Sequence, residues 1–323
     1  MSPAVDTGVM LALVEVKIDG VPVNEHLIQE VRVQDSLALP TAFSITFSPR
    51  ELSRGVDPLG VEGVDPSIGA TVQIFLGAPR DKQRQKLFDG ELTALEPNFG
   101  PEGIRLVASG YDRSHRLHRG RKTRTFQKMT TSNIVSKLTQ EAGLTAKVTA
   151  TNVQHEFVQQ NNETDWEFIQ RMGSMNDFEV VVDGRTLEFR KIPTGGGQAL
   201  ELEYGENSSN GAGAGRLHSF YPRVTAAQQV KEVLVRSWDP KQKKAIEAKV
   251  TVKERGSSIG IKRDGAIKDF GSSVLTVADA PVATQAEATA FAESLSSYLG
   301  HTFVGAYGAC EGNPRIRAGT TLK

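Results

Sequence analysis

Few residues of this sequence have the type and spacing that catalysis or metal binding needs. Among the six histidines only His115 and His118 lie close together, in a stretch crowded with arginines that would repel a cation. In segment 200–204, Glu201 and Glu203 alternate with apolar residues, so both carboxylates would lie on one side of a strand. That pattern is typical of a solvated strand face. These residues therefore predict no metal centre and no acid–base pair.

The sequence also lacks the motifs of a phosphate-binding loop and of an activated nucleophile. Residues 211–215 lack the third-glycine spacing of a dinucleotide loop, and residues 260–265 are followed by Ala266 where a P-loop has its lysine. The single cysteine, Cys310, has no base beside it, and we expect it to be a small buried residue. No Gly-x-Ser-x-Gly elbow occurs. The sequence predicts no cofactor and no catalytic residue, and thus favours a protein that is not an enzyme.

Across the whole chain Lys and Arg total 38 and Asp and Glu also total 38. One basic segment, residues 113–128, departs from this neutral composition. It contains no acid and seven cations, Arg113, Arg116, Arg119, Arg121, Lys122, Arg124 and Lys128. It is a solvated connection, a contact surface for an acidic partner or neighbouring subunit, or a nucleic-acid site. Nucleic acid is least favoured, because only Phe126 could stack on a base and the whole chain is not basic. We take the seven cations as the candidate interface.

The elements around these residues are mostly strands. Alternating apolar residues between Pro- and Gly-containing loops predict strands at 11–18, 29–35, 43–47, 71–76, 87–95 and 104–109. Many short strands at this spacing are typical of a barrel or sandwich. Strands are predicted again at 217–221, 231–238, 245–252, 274–277 and 301–310.

Helices are predicted at three places. The first covers residues 130–142 with Gly143 as its C-terminal cap, and the others begin at the capping boxes of Thr164 and Thr284. Trp166 should lie in the core and anchor the second helix. Phe291, Leu295 and Leu299 should form the buried stripe of the third. A hairpin is expected around Asp183-Gly184.

The resulting fold class is β-rich α+β. Glycine-rich stretches at 195–197 and 207–215 mark flexible loops near a boundary. The predicted domains are a first β-barrel domain (1–118), a mixed α/β middle segment (119–193) and a second β-barrel domain (194–323) with one helix at 284–299.

The N-terminal apolar run, residues 9–14, is too short for a signal peptide or a membrane span, and no Lys or Arg precedes it. We therefore expect synthesis in the cytoplasm without a signal peptide and without membrane insertion.

Several segments resemble phage late control D proteins, the baseplate hub family related to type VI secretion spike proteins and to hubs of extracellular contractile injection systems. The resemblance lies in residues 157–172 (FVQQNNETDWEFIQRM), 235–240 (VRSWDP) and 312–319 (GNPRIRAG). Residues 106–112 and the helix at 130–144 also fit. The matches occur in order from about residue 10 to the last residue.

The resemblance implies two similar antiparallel β-barrels with a small inserted α/β segment and a few short helices. It implies a homotrimeric structural protein whose six barrels adapt a hexameric inner tube to a trimeric spike. The implied partners are other copies of the chain, the inner tube protein, the spike tip protein and baseplate wedge proteins, with no specific nucleic acid.

The family usually continues beyond the 312–319 turn with further barrel strands, an oligonucleotide/oligosaccharide-binding-type domain and a β-helical needle. The resemblance therefore implies a second barrel truncated at its end, with the spike on a longer chain or on a separate polypeptide. Two other functions stay open: a tail-associated cell-wall hydrolase, and a soluble β-barrel module that binds carbohydrate or nucleic acid. Salt-sensitive binding by a monomer would distinguish the module.

Overall fold

The chain forms two compact units. The computed structural model describes residues 13–48, 57–77, 84–192, 199–204, 215–239, 242–254, 260–271, 273–280 and 282–323. The first unit comprises Met1–His115 with Glu311–Thr320, and the second comprises Arg116–Cys310 with Thr321–Lys323. The three-domain division of the sequence stays a prediction, because contacts within the folded chain do not show which parts fold alone.

The first unit is built on one curled, seven-stranded antiparallel sheet in the order β2-β1-β5-β6-β7-β4-β3. The strands are β1 (Leu13–Ile18), β2 (Val21–Pro22), β3 (Ile28–Gln34), β4 (Ala42–Phe47), β5 (Thr71–Gly77), β6 (Gln85–Gly100) and β7 (Gly103–Asp112). Short 3-10 helices cover Glu25–Leu27 and Arg113–His118. The predicted strands of this region are therefore confirmed as parts of a half-barrel.

Alternation explains why one face of this sheet is buried. Val16 and Ile18 on β1 and Phe43 and Ile45 on β4 point into a common apolar core, while their neighbours face outward. A Cβ atom on Gly110 would lie only 2.0 Å from a backbone oxygen of β6, so β6 and β7 can approach this closely only with glycine there.

The segment that carries the 312–319 resemblance is held to the first unit by Asp35. The Asp35 carboxylate accepts hydrogen bonds from Arg317 Nε and the Ala318 amide, both at 2.9 Å, and from Thr41 Oγ1 at 2.7 Å. Burial raises the pKa of Asp35, but these donors outweigh burial and hold the pKa below its ordinary value. The predicted turn is confirmed, since the Ile316 amide donates to the Asn313 carbonyl at 3.0 Å.

The first half of the second unit mixes helices and strands. It contains β8 (Lys122–Thr130), α1 (Thr131–Glu141), β9 (Thr145–Val148), β10 (Gln154–Glu163), α2 (Asp165–Ser174), β11 (Phe178–Asp183) and β12 (Thr186–Lys191). β8 and β10 form an antiparallel pair, and β11-β12-β9 form a three-stranded sheet. The Thr164 capping box is present, and Trp166 is buried in the core beneath α2, as the sequence predicts.

The second half holds two further three-stranded sheets. Its elements are β13 (Leu202–Tyr204), β14 (Gly215–Val224), β15 (Glu232–Asp239), β16 (Lys244–Thr251), α3 (Arg263–Ile267), a 3-10 helix (Lys268–Phe270), β17 (Val274–Val277), α4 (Gln285–His301) and β18 (Val304–Cys310). The sheets are ordered β13-β14-β18 and β16-β15-β17, and α4 packs on the second. The β-rich α+β class is thereby confirmed. Two pairs, β13 with β14 and β15 with β17, are parallel, which strand periodicity did not predict.

Three expectations about the end of the chain need correction. Of the predicted stripe on α4 only Leu299 is buried, whereas Phe291 and Leu295 are partly buried and pack against a core that contains Ala288 and Ala292. The helix runs to His301, so the last strand begins at Val304. Cys310 is only partly buried, at the end of a strand whose residues are mostly exposed in the described part of the chain.

Candidate functional site

The first cation of the basic segment, Arg113, belongs to a buried ionic cluster in the first unit. Its side chain is 4% exposed and its Nη1 lies 2.6 Å from Asp89 Oδ1. His115 Nε2 lies 2.8 Å from Glu91 Oε2 in the same cluster. Burial raises the pKa of Asp89, but hydrogen bonds from Arg113 and Gln73 outweigh it, so the pKa lies below its ordinary value. Arg113 stabilises the sheet and does not present its charge at the surface.

Two cations of β8 converge on one carboxylate at the start of α2. Lys122 Nζ and Arg124 Nη2 each lie 2.6 Å from an oxygen of Asp165. The fully buried Gln160 side chain accepts a hydrogen bond from Arg124 Nε at 2.7 Å and donates one to Asp165 at 3.0 Å. Arg124 Nη1 also contacts Glu141 at 2.6 Å. These charges therefore fasten the β8–β10 pair to both helices.

The remaining cations are closer to solvent. Arg121 Nη2 pairs with Glu167 at 2.8 Å and its Nη1 donates to a backbone carbonyl. Arg119 and Lys128 are exposed, and neither forms an ion pair with another residue of the described ranges. The acids missing from the segment itself are supplied from distant parts of the chain. The interface role of the seven cations stays a prediction, and Arg116, Arg119 and Lys128 are among its exposed members.

The pKa of Asp165 predicts acid sensitivity. Burial raises this pKa, but the hydrogen bonds from Lys122 and Gln160 and the nearby Arg124 charge outweigh burial and lower it below the ordinary 3.8. The unfolded chain therefore binds the proton more readily. The contribution of Asp165 is fully present above its unfolded pKa and is lost as the pH falls through the folded pKa.

We expect the stability difference between the wild type and Asp165→Asn to shrink on acidification. Urea unfolding of both proteins from about pH 6 to about pH 3 measures it, and comparing the two removes the contribution of the other carboxylates. A difference independent of pH over this range would show that Asp165 is not held ionised by the cluster.

Arg124 and Arg119 provide a matched comparison of two arginines from the same segment. Arg124→Ala removes three charge-assisted hydrogen bonds and leaves Asp165 with fewer donors, so we expect a loss of about 2 kcal/mol in the free energy of unfolding. Arg119→Ala should change it by less than about 0.5 kcal/mol. Equal effects in urea unfolding would contradict the structural role of Arg124.

The spacing of residues within 157–172 also has a structural explanation. Glu163 accepts two hydrogen bonds from Arg171, from Nε and Nη2, each at 2.8 Å. The same Nη2 donates to the Gln159 carbonyl at 2.9 Å, and the guanidinium lies 5.0 Å from the Phe168 ring centroid. The hydrogen bond and ion pair from Arg171 lower the pKa of Glu163 despite partial burial. The motif thus couples β10 to α2.

A cavity of about 470 Å³ lies between β10, α2 and the start of α4. Its lining includes Phe157, Met172 and Met175, and its polar groups include His155 and Glu287, whose Nδ1 and Oε1 atoms are 2.5 Å apart. Its volume falls in the range of small-molecule sites. Both polar groups are already engaged with each other, so their hydrogen-bonding capacity serves the fold.

The other residues considered from sequence stay apart from this cavity. His118 stacks on Trp166 with ring centroids 5.1 Å apart, and His115 pairs with Glu91. Glu201 and Glu203 are exposed. Within the described ranges no three residues of the His, Cys, Asp and Glu type could hold a metal ion together. Most of the 211–215 loop lies outside the described residues.

A match to a family model over nearly the whole chain shows the family to which it belongs. The profile of the Alg8 N-terminal domain matches residues 14–323. The chain belongs to this family. Comparison with curated proteins finds no similar sequence. The finer likeness to late control D proteins stays a prediction.

Solved structures show the same fold in proteins of low sequence identity. The 43 kDa tail protein of prophage MuSo2 from Shewanella oneidensis has a TM-score of 0.63 and 16% identity, covering 97% of this chain and 86% of that one. A tail protein from Neisseria meningitidis MC58 has a TM-score of 0.61 and 11% identity, covering 97% and 83%. Prophage tail protein gp18 from Listeria monocytogenes EGD-e has a TM-score of 0.55 and 10% identity, covering 91% and 79%. The chain has the fold of these phage tail proteins.

Two features of the second unit escaped sequence reasoning. The His155–Glu287 pair joins residues 132 positions apart, so no local spacing marks it. The β14 and β18 strands were expected, but their exposed aromatic residues were not singled out. The alternation of Phe220 and Pro222 with polar neighbours was the available signal. None of the helices in the described part of the chain is long and apolar enough to cross a membrane.

Proposed function

We propose that this chain is a structural hub subunit of a contractile, phage-tail-like injection system. The observation that supports it is the fold shared with prophage tail proteins over as much as 97% of the chain. The ion clusters of both units support a structural role, because their charged side chains hold strands and helices together.

In this proposal three copies form a ring that adapts a hexameric inner tube to a trimeric spike. Each copy contributes two sheet-rich portions, so the trimer presents six. The partners are other copies of the chain, the inner tube protein, the spike tip protein and baseplate wedge proteins. The subunit acts by assembly alone. Its role depends on closed symmetry and matched interfaces, and it needs no cofactor and breaks no bond. The chain is made in the cytoplasm and becomes part of the assembled particle.

Molar mass in solution tests the proposal. Light scattering of the protein encoded by the full reading frame that contains this chain should give a molar mass three times that of one copy. Mixing with the inner tube protein should produce a larger complex in size-exclusion chromatography. A strict monomer at all concentrations, with no tube complex, would contradict the adaptor role. Release of soluble fragments from purified peptidoglycan would favour the hydrolase instead.

A further inference from the structure

Strand β10 pairs with β8 along one side and has no strand neighbour along the other within the described part of the chain. In an antiparallel pair the backbone amides and carbonyls of alternate residues point away from the partner strand. The Gln159 carbonyl accepts a hydrogen bond at 2.9 Å from Arg171, which belongs to α2, so Gln159 points its backbone groups away from β8. By the same alternation Phe157 and Asn161 point theirs to this side, which we call the open edge of β10.

Three backbone groups near the middle of the open edge are available to a partner. Arg171 occupies the Gln159 carbonyl, and the Asn161 amide donates to a carboxylate oxygen of Glu163 at 3.3 Å. The amide of Gln159 and both the amide and the carbonyl of Phe157 pair with no backbone group of the described ranges. An unpaired strand edge of this kind is a template on which an extended chain can add as a further strand.

The open edge borders the cavity between β10, α2 and the start of α4. Phe157 lines this cavity and is 55% exposed. Met172 and Met175, at the C-terminal end of α2, line it as well. Methionine side chains adapt to neighbours of different shape, so this lining can accept more than one kind of apolar side chain. The cavity thus combines unpaired backbone groups with an adaptable apolar lining.

The size and the charges of the cavity indicate what can occupy it. A strand residue takes about 3.3 Å along the strand, about 4.8 Å between strands and about 10 Å across the sheet, or roughly 160 Å³. A volume of about 470 Å³ therefore holds roughly three residues of an extended chain. The charges of the lining are already paired, Glu163 with Arg171 at 2.8 Å and Glu287 with His155 at 2.5 Å. A charged occupant would find no counterion there, so an uncharged one is favoured.

We propose that the open edge of β10 binds an extended, uncharged and partly apolar peptide segment of another protein as an added strand. The peptide backbone pairs with the amide and carbonyl of Phe157 and with the amide of Gln159, and an apolar side chain contacts Met172 and Met175. Main-chain pairing supplies the affinity in this mode of recognition, and the pocket supplies the preference for a side chain. The contact requires neither three copies of the chain nor the inner tube, so its failure would leave the hub proposal standing.

The first test uses the wild-type full chain and an acetylated, amidated peptide of about seven residues that alternates threonine with leucine. Isothermal titration calorimetry should give a Kd of about 100 μM or tighter. Two further peptides carry N-methyl groups on all the leucine or on all the threonine backbone nitrogens. Because an added strand pairs along one of its edges only, one of the two should bind at least about tenfold more weakly than the other. Equal binding of the two methylated peptides, or no binding of the parent peptide at about 1 mM, would overturn the proposal.

The second test removes one backbone donor from the open edge. Gln159→Pro deletes an amide that points away from β8, where a strand tolerates proline, and should weaken binding of the parent peptide at least about tenfold. Thr125→Pro is the matched control: Thr125 is the exposed cross-strand partner of Gln159, and its amide points to the opposite edge of the pair. The control should bind like the wild type, and far-UV circular dichroism checks that each variant is folded. Wild-type binding by folded Gln159→Pro, or equal weakening by both variants, would overturn the proposal; if a variant does not fold, the methylated peptides decide.

Discussion

Replacing Trp166 with alanine should lower the free energy of unfolding by about 3–5 kcal/mol. Trp166 is 5% exposed, lies in the core cluster of the second unit and stacks on His118. Truncation removes a large apolar side chain and leaves a cavity that neighbouring residues fill only in part. Urea unfolding followed by far-UV circular dichroism measures the effect.

The second tryptophan provides the control. Trp238 lies on β15 and is 58% exposed, so Trp238→Ala should change the free energy of unfolding by less than about 0.5 kcal/mol. The chain contains only these two tryptophans, so the fluorescence of each single variant reports on the other residue. Equal destabilisation by the two substitutions would mean that burial of Trp166 does not account for its contribution.

The second large effect is expected for Glu287→Ala, which should lower the free energy of unfolding by about 3 kcal/mol. Glu287 closes the capping box of α4 and accepts hydrogen bonds from the amides of Ala283 at 2.7 Å and Thr284 at 3.0 Å. His155 lies 2.5 Å from its other oxygen, and both side chains are 7% exposed. Removing the carboxylate leaves these donors buried with fewer acceptors, which costs more than the net gain of each bond.

Glu293→Ala on the same helix is the matched control. Glu293 is exposed, so this change should alter the free energy of unfolding by less than about 0.5 kcal/mol. The Glu287 pKa adds a pH signature. Burial raises it, but the hydrogen bonds from His155 and the two amides outweigh burial and lower it below the ordinary 4.5. The Glu287 contribution should therefore fade as the pH falls through its folded pKa.

The elements that the sequence predicts well depend on residue types only a few positions apart. The capping boxes at Thr164 and Thr284 depend on residues three positions apart, and both helices begin there. Asp19 and Gly20 form the turn between β1 and β2, where Asp-Gly is a favoured pair because both residue types tolerate positive φ, and the structure has φ of 46° and 80° there. Burial of Trp166 follows from its place on the apolar side of a short helix.

The candidate site was predictable only in part. The basic segment is visible in the sequence, yet its composition suggests a uniformly charged surface. In the fold Arg113 is buried against Asp89, and Arg124 is held by Asp165, 41 positions away. Sequence spacing does not show which acid meets which cation, because these partners meet only after the strands and helices have packed.

By itself the sequence determined the β-rich class, the positions of most strands and helices and the Asn313 turn, because each depends on residues a few positions apart. Only the tertiary structure decided that β13 pairs in parallel with β14, that β17 pairs in parallel with β15, and that His155 meets Glu287. Strand alternation specifies which residues share a face. Whether that face is covered depends on which distant element packs on it.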